Sequence, residues 1–435
     1  MIFSNKESLI PDKSTLKLFI LFASAIQVKV SDEPAQYFFQ YLSFFTLLFF
    51  SIIFFVKKYK EFIFYFENKK ILSLMSCVAI IFLWPSLVEF VVMGYGREVK
   101  DMIYSITIYS ISVYVILSGF IKPNYYIDVP KLFKLIVIFT LLNLIIAFAM
   151  IKGFQLDLFG EDYEFVQNYL NFDYRLYGLL GTPTHYAPFI AISLIYILVY
   201  GDDLKQSFDK TLRFKMSVLI SPLIYYLIMI LLVYGLIKTG SRSSIYAFIG
   251  ALIIYFIYIL FCQRSLRTYL ASFLILFVLS LGFLLYQFNL YESESLRFAF
   301  RTDENYHASR FNIWLARIID ISNMNLFPFL IGSTYKLESY PTFNQPLGIL
   351  FSYGLIYLTF FYSIFFAILL NLFYKAFLLK SKYFLFMLMI GVFYFLFGQG
   401  ISFFLASHFH IVMFILTILF LEQFLSFCRS RFNKY

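Results

Sequence analysis

Long unbroken apolar runs constrain this chain more than any other feature. Stretches such as 37–56, 133–151, 244–262 and 383–405 carry almost no charge. Each covers about 17–25 residues, the length at which an α-helix crosses a bilayer. A transmembrane barrel does not fit, because its strands alternate apolar and polar residues over about ten positions. The composition agrees: 61% of residues are hydrophobic and 14% charged, with a mean hydropathy of +0.80. A soluble domain carries roughly a quarter charged residues. A soluble globular enzyme and a disordered chain are therefore excluded. The net charge of +10 does not point to nucleic acid, since Lys and Arg are not gathered on one polar segment.

The expected fold class is an all-α polytopic integral membrane protein, one transmembrane domain over 1–435. Twelve spans are read, at about 15–30, 37–56, 71–93, 102–121, 133–151, 186–200, 216–237, 244–262, 270–287, 345–373, 383–405 and 411–428. Lys17, Gln27 and Lys29 interrupt the first. With Lys13 and Lys17 ahead of Ala23-Ser24-Ala25 it also has the look of a signal sequence, but its apolar stretch is short for one.

Orientation follows from the positive-inside rule. With both termini cytoplasmic, 23 of the 35 Lys and Arg fall on the inner segments and 12 on the outer ones. Cys77, Cys262 and Cys428 all fall at or near inner span ends, so no outer disulfide framework is implied. Only 152–185 and 288–344 are long outer segments. No cytoplasmic domain and no Walker-type loop is present, so nothing supports ATP-driven work. The working surface is expected on the outer face, covered by those two loops.

Three constellations there carry chemistry. Arg175-Leu-Tyr-Gly-Leu-Leu-Gly-Thr-Pro-Thr-His leads from the first loop into a span. Gly178 and Gly181 let a ligand approach the backbone. Thr182 and Thr184 suit a helix cap, and Pro183 suits a first helical turn. A helix N-terminus with a nearby guanidinium fork suits a phosphate, either of a ligand or of a lipid headgroup. In Lys238-Thr-Gly-Ser241-Arg242-Ser-Ser, a Gly turn and a Ser cap again precede an apolar helix. Arg242 in its first turn opposes the helix dipole unless an anion lies beside it. In the second loop, Phe311, Trp314, Leu315 and Ile318 recur at i, i+3, i+4, i+7 and read as an amphipathic helix on the membrane surface. Arg310 and Arg317 share a face of it, and Arg297 and Arg301 form an i, i+4 pair upstream. These arginines serve equally to touch headgroups, with Asp320 pairing Arg317.

Other polar groups carry less. His408 and His410 lack a third ligand for a metal. Glu89 pairs as readily with Arg97 as it serves a function. Asp32-Glu33 and the acidic run from Asp157 to Glu164 read as solvated loop, so no metal site is expected.

The ordered set Arg175…Gly178…Gly181-Thr-Pro, then Thr239-Gly-Ser-Arg-Ser-Ser244, then Ser309-Arg310…Trp314, Pro328…Gly332 and Asn344…Gly354 resembles the O-antigen polymerase and ligase superfamily of bacterial envelopes. The resemblance covers roughly 172–357. Ligases of that superfamily share Arg-x3-Leu, here Arg175 to Leu179, and carry a His just before the Asn of a frame that continues here as Asn344, Gly354 and Tyr357. Residue 343 is Phe, which cannot be a base or hydrogen-bond partner. The Wzy-type polymerases are therefore the better match.

That resemblance implies a metal-independent, lipid-dependent glycosyltransferase fold of the GT-C type, needing no cofactor. It implies donor and acceptor repeat units carried on undecaprenyl pyrophosphate at the periplasmic face of the inner membrane, and a chain-length regulator as a further partner. An acceptor hydroxyl attacks the anomeric carbon and lipid pyrophosphate leaves. Fixed cations should stabilise that leaving group most. Arg175, Arg242 and Arg310 are the expected catalytic cations. Arg317, Arg297, Gly178, Gly181, Ser241 and Asn344 would bind substrate. His307, Glu338 and Asp173 are the outer-face candidates for a base. The competing classes are a ligase of the same superfamily and a lipid-linked oligosaccharide flippase or other transporter. A transporter would place charges and helix breaks at mid-membrane.

Overall fold

The computed structural model describes residues 84, 129–151, 176, 183–211, 217–262, 315, 318–332 and 344–400. The described residues are helical with no strand among them. Their helices are α1 (Val129–Ile151), α2 (Pro183–Thr211), α3 (Ser217–Thr239), α4 (Arg242–Cys262), α5 (Leu326–Ile331), α6 (Gln345–Leu379) and α7 (Lys382–Gly400). A further helical stretch occupies 318–322. Of the expected spans, those at 15–30, 37–56, 102–121, 270–287 and 411–428 lie outside the described residues, as does 71–93 apart from Trp84.

The apolar runs become helices whose ends are set by local chemistry. Pro183 opens α2, where its missing N–H costs nothing and its φ is already helical. Hydropathy ends that run near residue 200, yet α2 continues through Gly201-Asp202-Asp203 to Thr211. Intrahelical hydrogen bonds do not require apolar side chains. Gly240, at φ +60°, stops α3 in the left-handed cap that glycine adopts without penalty. Lys380, at φ 49° and ψ 39°, stops α6 in the same way. Both joints are so short that α3/α4 and α6/α7 must double back on themselves.

Long-range bonds set the helix directions. Tyr186 Oη in the second turn of α2 donates to the Thr140 carbonyl of α1 at 2.8 Å. Tyr225 Oη near the start of α3 donates to Ile197 O in the second half of α2 at 3.3 Å, and Tyr255 Oη of α4 donates to Leu198 O of α2 at 3.2 Å; with α4 doubling back on α3, α2 and α4 run the same way. The Cys262 thiol at the end of α4 donates to Phe377 O near the end of α6 at 3.7 Å. So α2, α4 and α6 all start at one end of the bundle, where α1, α3 and α7 finish. We call it the upper end. Among the described residues, by position in the chain, the lower end carries the basic residues Lys131, Lys134, Lys205, Lys210, Lys375, Lys380 and Lys382, and the upper end Lys238 and Arg242.

The core sits between α2 and α7, which pack on each other and on their neighbours. Residues 186–197 of α2 and 385–390 of α7 are all buried. Helices buried all round must be apolar all round. Phe386 of α7 takes the edge of Phe133 from α1 at 4.7 Å and 84°, and that of Tyr196 from α2 at 5.8 Å and 81°. Polar contacts join α1 to α2 inside this core. Ser193 Oγ donates to Thr140 Oγ1 at 3.0 Å, and Thr140 Oγ1 donates to Ile136 O at 2.8 Å. Within an apolar bundle such bonds act as interhelical glue. The outer faces of α3, α4 and α6 are instead bare and apolar: Ile230, Phe261 and Leu370 are 65%, 75% and 69% exposed. Arg242–Cys262 and Pro346–Leu379 are each long and apolar enough to cross a membrane.

The run expected as one span at 345–373 holds a break. Gly354 has φ 82° and ψ 171° inside α6, a conformation essentially reserved for glycine. It divides a short upper piece, 345–353, from a longer lower piece, 355–379. The latter spans roughly 37 Å at 1.5 Å per residue, enough for a bilayer on its own.

Candidate functional site

The upper end carries the described parts of the sequence motifs. Its centre is the joint between α3 and α4. Gly240 N–H donates to Ile237 O at 2.9 Å, and Ile245 N–H to Ser241 O at 3.1 Å, so Ser241 is the N-cap of α4. Thr239 braces the joint: its hydroxyl donates to Leu236 O at 2.7 Å and accepts from Ser241 N–H at 3.3 Å. The Ser241 and Ser244 hydroxyls are bonded to each other at 3.0 Å. Thr239, Ser241 and Ser244 are all buried. Arg242, the first residue of α4, is half-buried beside them. Lys238 holds its ammonium 5.9 Å from the Tyr234 ring centroid, a cation–π arrangement.

A second strand of chain is stitched to this joint. Leu176 N–H donates to Lys238 O at 3.1 Å, and the Leu176 residue is fully buried. Leu176 follows Arg175 in sequence. The first motif is thus joined by backbone to the second, four residues before Arg242. Pro183 and the α2 N-terminus close the same segment.

Asn344 caps α6. Its Oδ1 accepts from Leu347 N–H at 3.1 Å, Gly348 N–H returns to Asn344 O at 2.9 Å, and Pro346 stands in the first turn. This capping bond is a sufficient physical reason for Asn at that position. Tyr357, of the same motif frame, is fully buried. Its ring lies 5.6 Å from Tyr353 and 6.2 Å from Phe361.

The break at Gly354 is a crossing of two glycines. A Cβ on Gly354 would strike Leu330 O, Ile331 C and Gly332 N; a Cβ on Gly332 would strike Ser352 O and the Tyr353 backbone. Gly332 has φ 115° and ψ 151°, and its N–H donates to Pro328 O to finish α5. A helix break strands carbonyls that would otherwise accept from the next turn. Here Trp84 Nε1 donates to Tyr353 O at 3.2 Å. Sequence reasoning passed over Trp84. The available signal was a Trp at the middle of an apolar span, whose indole N–H needs a partner when buried.

Of the residues expected to carry the site, Ser241, Arg242 and Asn344 are described, all at helix N-termini of the upper end. Arg175, Asp173, Gly178, Gly181, Arg297, His307, Arg310, Arg317 and Glu338 lie outside the described residues. The described arrangement suits an anion: α2, α4 and α6 point their positive ends the same way, and the first amides of α4 have no acceptor within the helix by position. No protein-family model matches the sequence, and no curated protein matches it.

Proposed function

We propose that the chain is a bacterial inner-membrane glycosyltransferase of the O-antigen polymerase type, with both termini cytoplasmic and about twelve spans in all. It joins undecaprenyl-pyrophosphate-linked repeat units at the periplasmic face, without metal or cofactor, and takes a chain-length regulator as partner. One observation carries the reading furthest: the Leu176–Lys238 bond ties the segment that begins at Arg175 to the joint that presents Arg242. On this reading the Arg175 and Arg242 guanidiniums would converge, and two such cations repel unless an anion lies between them. The departing lipid pyrophosphate is such an anion. Among the described residues Lys and Arg are concentrated at the lower end, which supports the orientation with the upper end outward.

On this reading Arg175, Arg242 and Arg310 stabilise the charge that develops on the leaving pyrophosphate as the glycosidic bond breaks. Losing one charge-assisted contact to a desolvated phosphate costs about 2–5 kcal/mol, or roughly 30- to several-thousand-fold in rate if it tightens in the transition state. The test uses purified protein in nanodiscs with lipid-linked repeat units in EDTA, read as a chain-length ladder. Wild type should extend the ladder. Arg175→Ala, Arg242→Ala and Arg310→Ala should stop at short products, and Arg→Lys should fail as well, since an ammonium lacks the planar fork. Lys152→Ala and Lys336→Ala should extend normally. Normal ladders from the arginine variants would remove this site.

A transporter of lipid-linked oligosaccharide is the second reading, and the position of the break weighs against it: such proteins interrupt helices near the bilayer midplane, whereas the break at Gly354 leaves the 355–379 piece long enough to cross a bilayer on its own. A lipid-linked oligosaccharide flippase would move repeat units between leaflets of proteoliposomes and leave their length unchanged. The ligase alternative of the same superfamily is disfavoured by Phe343. A deletion strain that keeps one repeat unit on its lipopolysaccharide supports the polymerase over the ligase.

A further inference from the structure

We infer that the 318–331 segment, with Leu315 ahead of it, is a helix-turn-helix unit seated sideways in the lipid leaflet at the upper end of the bundle. Leu315, Ile318 and Ile319, spaced i, i+3, i+4, are 46%, 53% and 52% exposed, and Leu326 and Phe327 across the turn are 72% and 68% exposed. None of α5 is buried. Five large apolar side chains bare within thirteen residues form a patch that water does not tolerate well. The exposed Asp320 lies about 160° around the helix from Ile318, and the turn that follows is polar, with Asn323 and Asn325 exposed.

The fold sets the depth of the patch. Gly332 ends α5 and crosses the backbone of α6 at Ser352 and Tyr353, while Gly354 crosses back against 330–332. Neither crossing leaves room for a side chain, so the end of α5 lies directly against the backbone of α6. The bare apolar surface of α6 begins two residues below the crossing, at Ile356, 52% exposed. Phe327 is five residues from Gly332, about 7 Å along a helix. The patch is therefore continuous with the surface by which the 355–379 piece would meet lipid. A short helix with an apolar side and a polar side at that level lies in the interface plane. The occupant is the acyl and headgroup boundary of that leaflet. The inference requires α6 to be embedded in a membrane but does not require the catalytic reading.

The test is a depth measurement on the full chain. Cys77, Cys262 and Cys428 are replaced by Ala, and single nitroxide labels are placed at Ile319, Leu326 and Phe327, with Asp320 and Asn323 as references. The proteins are reconstituted in phosphatidylethanolamine–phosphatidylglycerol nanodiscs, and accessibility to oxygen and to a water-soluble nickel chelate is read by power saturation. Ile319, Leu326 and Phe327 should be several-fold more accessible to oxygen than to nickel, and the reference sites the reverse. A bimane at Phe327, in a separate preparation, should lose most of its emission in dibrominated lipid. Nickel access at all five sites would place the unit in water. Exclusion of both reagents at the three apolar sites would mean that protein, from this chain or a second copy, covers them. Either outcome overturns the inference without bearing on the glycan ladder, and a lost ladder leaves the inference standing.

Discussion

Replacing Gly354 by alanine probes the crossing that shapes the upper end. The native φ of 82° and ψ of 171° would strain any residue with a Cβ by roughly 1–3 kcal/mol. The new methyl would also strike three backbone atoms, Leu330 O, Ile331 C and Gly332 N. None of these can rotate away, so overpacking adds about 1–3 kcal/mol. The expected loss is about 2–6 kcal/mol in total, a large share of the 5–15 kcal/mol that holds a typical fold together. Gly391→Ala is the control. Its Cβ would meet only the Leu369 side chain, whose far end can turn aside. Alanine also favours a helix interior over glycine by about 1 kcal/mol, so this variant should be near neutral. Both proteins, purified in detergent, are unfolded in mixed micelles of rising SDS content and followed by circular dichroism. Gly354→Ala should unfold at clearly lower SDS than Gly391→Ala. Gly332→Ala should match Gly354→Ala, and the double variant should lose less than the two singles added, because both open the same crossing. Equal midpoints for Gly354→Ala and Gly391→Ala would refute the reasoning.

Asn344→Ala should destabilise by about 1 kcal/mol through the lost cap, whereas Asn344→Ser should retain most of that stability; if the serine variant is stable yet loses ladder extension, Asn344 also contacts substrate. Thr140→Val removes the hydroxyl that Ser193 donates to and should cost about 0.6–1.7 kcal/mol in the same SDS titration; no change at all would mean that Ser193 finds another acceptor. Cysteine introduced at Glu161 should react with an impermeant thiol reagent in intact spheroplasts, and labelling only after lysis would reverse the proposed orientation.

The local grammar of this chain determined much by itself. An apolar run has one way to satisfy its backbone in hydrocarbon, so the runs at 133–151, 216–237, 244–262 and 383–405 emerge as α1, α3, α4 and α7 with ends moved by only a few residues where the structure describes them. Gly240 and Ser241 were legible as a stop and a cap because those roles depend on one residue's own conformation and side-chain reach. Hydropathy misjudged α2, since it measures what a helix is dissolved in rather than where its hydrogen bonds end. Tertiary structure alone decided the rest. Gly332 and Gly354 stood in the sequence as motif letters; that each exists to admit the other's backbone depends on a contact twenty-two residues apart. Trp84 finds its partner in a carbonyl 269 residues away, beside that same break. Leu176 shows no polar signal, yet its amide fastens the first motif to the second. Periodicity and capping report a residue's neighbours along the chain, whereas a broken helix and a backbone stitch are settled by what lies across from it.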